Sequence, residues 1–164
     1  MTQHQQNSKK VTNIWLFALN IGFFAGLIWG GIKGLFYYMR FTTVLPGYLL
    51  EPFFKQKFLN SGPGYYVGWL GFIVFSIIVT LIYTLCLRKL KGPIPGLLYG
   101  IFWWIIIFLL IGPLTHMTIP FKELSVNTAI SEFCLYLLWG LFIGYTAAVE
   151  YNDERQREPE NAYQ

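Results

Sequence analysis

The chain has 164 residues, 55% hydrophobic and only 12% charged, where a soluble domain carries about 25% charge. With aromatics at 20%, this balance excludes an ordinary soluble domain and fits a membrane protein with aromatic belts at its interfaces. The net charge of +4 is no argument for nucleic acid, because the basic residues flank apolar runs, where they orient helices and meet anionic lipid.

Residues 1–13 are polar and Gln-rich, and read as a short disordered tail carrying Lys9 and Lys10. The first apolar run, Ile14 to Tyr38, is too long for a signal peptide and has no Ala-x-Ala cleavage site, so it reads as an uncleaved span. A second run covers Tyr65 to Leu87, a third about Ile94 to Leu114, and a fourth about Thr128 to Val149. Each exceeds the roughly 20 residues that cross a bilayer as helix. Helix is required, because backbone groups in lipid must be paired within their own segment. Pro93 and Pro95 open the third span, Pro113 is expected to stop it, and Asn127 or Thr128 to cap the fourth. The prediction is an all-α bundle of four transmembrane helices, residues 14–149, followed by a tail at 150–164.

Between the first two spans, Leu50, Phe54 and Phe58 recur at i+4, as do Leu49 and Phe53, with Glu51 and Lys55 paired on the other side. That spacing predicts a short amphipathic helix on the outer interface. Arg88, Lys89 and Lys91 crowd the tightest loop, and Lys9, Lys10, Arg155 and Arg157 lie in the tails. Arg40, Lys55, Lys57 and Lys122 fall on the opposite side. The positive-inside rule then puts both termini in the cytoplasm of a plasma-membrane protein.

Every span carries glycines four residues apart. Gly22, Gly26, Gly30 and Gly34 mark the first, Gly64 and Gly68 the second, Gly96 and Gly100 the third, and Gly140 and Gly144 the fourth. Such rows let two helix backbones approach closely. A partner span in the same chain weighs more than a second subunit. An offset of 70 residues matches Gly26–Gly30 with Gly96–Gly100, and Trp69, Phe72 and Ile73 with Trp139, Phe142 and Ile143, as duplicated hairpins would, although apolar segments use so few residue types that chance matching weighs more.

Lys33 lies about 28 Å along the first span from Ile14, within the angular arc of the glycines. Glu132 sits at similar depth in the fourth span. One reading is an ion pair lining a polar vestibule. The simpler reading, which weighs more on sequence grounds, has Lys33 snorkelling to headgroups and Glu132 complementing a helix dipole. Ser76, Thr80 and Thr84 form an i+4 stripe suited to hydrogen bonds between helices or to a narrow path. Cys86 and Cys134 are expected as small core residues at opposite membrane faces, with no disulfide. No zinc, nucleophile-elbow or phosphate-loop motif occurs, and His4 and His116 are isolated, so neither a metal nor an organic cofactor is expected. The acidic residues from Glu150 to Glu160 read as a solvated tail.

Leu49-Leu50-Glu51-Pro52-Phe53, Gly68-Trp69-Leu70-Gly71, Arg88-Lys89-Leu90-Lys91, Pro95-Gly96-Leu97-Leu98-Tyr99-Gly100 and the run from Cys134 to Tyr145, closing with Glu150-Tyr151-Asn152, occur in an order that resembles the YqhR family of small membrane proteins from spore-forming Gram-positive bacteria. The resemblance implies a four-span plasma-membrane protein without an established activity, and carries over no functional residues. The leading functional expectation is a non-enzymatic membrane protein acting through helix packing with itself or a membrane partner. The alternative is a small transporter or channel subunit using Lys33 and Glu132.

Overall fold

A computed structural model describes residues 13–87, 89–90, 92–115 and 124–152. Most of the two tails, residues 1–12 and 153–164, lies outside these residues, as do Arg88, Lys91, His116 and Lys122. The described chain is mainly helical, with α1 (Ile14–Tyr38), α2 (Gln56–Leu59), α3 (Gly62–Leu87), α4 (Ile94–Ile105), α5 (Gly112–Thr115) and α6 (Val126–Asn152). A π-helical turn, Ile106–Ile111, joins α4 to α5, so the third membrane helix is continuous in direction. Four helices are long and apolar enough to cross a membrane.

Pro113 does not end the third helix. It sits inside α5, and the wider π turn precedes it, with the Gly112 N–H donating to the Ile107 carbonyl. In a regular α-turn the proline ring would collide with the carbonyl four residues back, that of Leu109. The extra residue of the π turn relieves that collision. The start of the fourth helix also differs from expectation. It begins at Val126, so Asn127 and Thr128 lie in its first turn instead of capping it. The Thr128 hydroxyl accepts from the Thr43 N–H of the long loop at 3.3 Å.

The helices pack as two antiparallel hairpins, α1 on α3 and α4 on α6. In the first, each glycine of the α1 row faces a successive turn of α3. A Cβ on Gly22 would come within 2.5 Å of the Ile77 Cα, and one on Gly26 within 2.6 Å of the Ile73 Cα. One on Gly30 would meet the Trp69 ring at 2.5 Å, and one on Gly34 would collide with Tyr65. In the second hairpin both sides are bare: Gly96 meets Gly144, and Gly100 meets Gly140. Lipid supplies no hydrophobic force between helices, so these close backbone contacts gain dispersion energy that larger residues would forfeit. The glycine rows are thereby engaged within the chain.

The hairpins join along α6, which touches both α1 and α3. Trp139 is fully buried there among Phe72, Phe75 and Tyr136, with ring centroids about 6 Å away. Tyr99 on α4 donates its hydroxyl to the Val79 carbonyl of α3 at 2.8 Å. At one end of the bundle, hereafter the tail end, Phe17 of α1 meets Tyr151 of α6 edge to face at 5.1 Å. The opposite end carries residues 39–61 and is called the loop end. Leu19, Phe23, Leu70, Val74, Leu98 and Phe102 are among the large apolar side chains left facing outward, toward lipid. Cys86 and Cys134 also face outward as free thiols, which corrects their expected place in the core.

The 39–61 loop holds a short helix, α2, preceded by a 3-10 turn at Tyr48–Leu50. The expected continuous phase of Leu50, Phe54 and Phe58 is therefore divided. Pro52 lies in the turn between the two pieces, where Phe53 and Phe54 both donate to the Leu50 carbonyl. With the helix interrupted, no ion pair links Glu51 to Lys55. Instead burial pushes the Glu51 carboxyl up to about 7.

Candidate functional site

Lys33 and Glu132 meet at the loop end, between α1 of one hairpin and α6 of the other. The Lys33 Nζ donates to Glu132 Oε1 at 2.7 Å and to Oε2 at 2.6 Å. Both side chains are 1% exposed, so Lys33 reaches no headgroup and the snorkelling alternative fails. The glycine arc explains the direction: Gly30 and Gly34 flank Lys33 on the buried face of α1. A charge in this position needs full compensation, since desolvation costs several kcal/mol per ion.

The two charges compensate each other, and the loop adds to this. Thr42 donates its hydroxyl to Glu132 Oε1 at 2.7 Å and accepts from the Val44 N–H at 3.1 Å. Tyr48, carried by the 3-10 turn, places its ring 4.3 Å from the Lys33 ammonium, a cation–π contact. The same ring stacks on Phe108 at 6.0 Å. The loop therefore folds back over the bundle and closes the pair from above. Thr42 and Tyr48 escaped the sequence reading because they lie in irregular chain, where no periodicity reports direction.

A cavity of about 940 Å³ opens at this end, lined by Gly31, Gly34, Tyr38, Arg40, Thr42 and Tyr65 among others. Thr42 belongs both to its wall and to the coordination of Glu132. Thr42 thus touches both the charged pair and the open cavity.

Below the pair, polar groups continue along the bundle interior. Ser76, Thr80 and Thr84 are all buried. The Ser76 hydroxyl accepts from the Trp139 indole N–H at 3.1 Å, and Thr84 bonds to its own helix at the Thr80 carbonyl. The hydroxyls of Thr80, Tyr83, Tyr136 and Tyr48 are buried without a hydrogen-bond partner. Tyr136 lies one turn along α6 from Glu132. Unpaired buried hydroxyls are costly, and here they come from the loop, α3 and α6. Gly96, Gly100, Gly140 and Gly144 lie elsewhere, in the α4–α6 seam, and make no contact with the pair. Among the described residues, no three His, Cys, Asp or Glu side chains converge as a metal site.

Residues 1–162 match the family described as "Conserved membrane protein YqhR". The uncharacterized protein YqhR of Bacillus subtilis (strain 168) is 33% identical over 132 residues, covering 80% of this chain and 74% of that protein. No solved structure matches.

Proposed function

The chain belongs to the YqhR family of conserved membrane proteins, and on that footing we propose a non-enzymatic transporter or channel subunit centred on Lys33 and Glu132. The observation that carries this reading is the buried ion pair at the seam between two hairpins, held by a threonine that also lines an open cavity. Ionisable groups within the membrane are costly and typically mark solute or proton routes. The unpaired hydroxyls of Tyr136, Thr80 and Tyr83 add buried polar groups inside the bundle. In this reading the protein sits in the plasma membrane with both termini cytoplasmic, as the basic residues beside the spans argue.

A second reading, in which the protein acts by helix packing with itself or a membrane partner, draws on a different fact. Glu132 is fully satisfied, as a structural lock would be. The glycine rows no longer motivate it, because their close contacts lie within the chain. Reconstitution of the purified chain in vesicles separates the two. The transport reading expects proton flux under an imposed potential, above that of protein-free vesicles. Proton, potassium and chloride fluxes all equal to protein-free vesicles would sink it and leave the lock.

A further inference from the structure

Two recesses lie end to end along the α1–α3 seam. The upper is the cavity of about 940 Å³ at the loop end. The lower is an apolar groove of about 260 Å³ walled by Leu27, Tyr66, Trp69, Leu70 and Ile73. They share helix faces. Leu27 of the groove lies one turn from Gly31 of the cavity on α1, and Tyr65 of the cavity adjoins Tyr66 of the groove on α3. Gly31 stands outside the packing row, and a Cβ there would press within 3.3 Å of the Trp69 ring. Its bare backbone lets the Trp69 ring, a wall of the lower groove, lie close against α1.

Arg40 gives the upper recess its charge. Among the described residues, no carboxylate lines the cavity and none forms an ion pair with Arg40. Its backbone is also unusual, with φ at +62°. It occupies the left-handed position that closes α1: its N–H donates to the Tyr37 carbonyl, Phe41 donates to the Phe36 carbonyl, and the Phe36 and Phe41 rings meet at 5.9 Å. Glycine or asparagine usually holds that position. The cap itself does not need a long cationic side chain held there against its conformational preference.

We propose that the two recesses bind one anionic phospholipid molecule, with its phosphate on Arg40 and an acyl chain in the Leu27–Trp69 groove. A guanidinium offers paired N–H donors to phosphate oxygens. Tyr38 and Tyr65 on the cavity wall suit the boundary between water and lipid. With no carboxylate among the described lining residues to receive a choline or ethanolamine cation, the site is expected to favour an anionic headgroup. This site does not depend on the transport reading.

The test is native mass spectrometry of the full chain in mild detergent with equal phosphatidylglycerol and phosphatidylcholine. Phosphatidylglycerol is expected to be retained on the order of tenfold over phosphatidylcholine, as one charge-assisted contact provides. Arg40→Gly suits the cap better, so it should abolish the preference while leaving the thermal midpoint equal or higher. Arg40→Lys should keep part of the preference, and Leu70→Trp should fill the groove and lower retention. Equal retention of the two lipids by the wild-type chain, or an unchanged preference in Arg40→Gly, overturns the proposal. Inorganic phosphate added alone distinguishes a free anion: if it binds in an Arg40-dependent way while phosphatidylglycerol is not retained, the lipid assignment falls. Proton flux in Leu70→Trp, which alters only the apolar groove, is expected to equal wild type, so either reading can fail without the other.

Discussion

Glu132 accepts three hydrogen bonds from two donors on different parts of the chain, and each can be removed singly. Lys33→Met leaves a buried carboxylate without its counter-charge, and Glu132→Leu does the reverse to the ammonium. Each should cost about 3–5 kcal/mol, whereas the two together should be close to neutral or stabilising. Unfolding of the four proteins in one detergent gives this cycle, and additive losses would contradict a direct pair. Glu51 is a separate case outside the membrane helices. Burial raises its carboxyl in the folded state from 4.5 to about 7, so the folded chain holds that proton more tightly than the unfolded one. Stability from this group is present below about 4.5 and is lost as pH rises through about 7. Glu51→Gln should flatten the thermal midpoint across that window, and an unchanged pH slope would refute this origin. At this scale the sequence revealed half of the site. The direction of Lys33 followed from its angle among the glycines, and the depth of Glu132 from its place in the fourth span. Thr42, Tyr48 and Arg40 lie in loop chain or at a helix terminus, where no repeat tells a side chain where to point.

Among the elements, the four membrane helices were legible because each must satisfy its own backbone in lipid. Their ends were less so. Asn127 and Thr128 looked like caps, yet Thr128 is used to anchor the loop through Thr43. Pro113 looked like a stop, but a π turn absorbs it. The amphipathic pattern around Leu50 and Phe54 overlooked the break at Pro52. Glycine spacing was a sound guide to packing, and it did not reveal that one seam has glycine on one side and the other has glycine on both. That difference is measurable. A Cβ on Gly140 would come within 2.5 Å of the Gly100 Cα, backbone against backbone, with nothing flexible to yield. Gly140→Ala should therefore lose about 1–2 kcal/mol of stability despite its better helix propensity. Gly62→Ala, where nothing lies within 4 Å, should be neutral or slightly stabilising. Equal effects on the thermal midpoint would refute the close α4–α6 contact.

For the molecule as a whole, both hairpins pack through glycines of their first helix, although Gly26 lies midway along α1 and Gly96 in the first turn of α4. Their tryptophans also differ: Trp69 rests on Gly30 and bonds to the Leu27 carbonyl, whereas Trp139 is the buried centre of the core. The hairpins meet in an interior that is aromatic yet contains unpaired hydroxyls, with the charged pair at one end of it. Composition predicted membrane residence, but it could not predict that the pair would join the hairpins, since that depends on how they dock. The most direct test of a working pair is proton flux through vesicles carrying the Lys33→Met/Glu132→Leu double variant, compared with wild type at matched folding stability. The account predicts wild-type flux above background and a double variant that folds yet falls to the level of protein-free vesicles. A double variant that conducts as wild type does would contradict it and reduce Lys33 and Glu132 to a lock between helices.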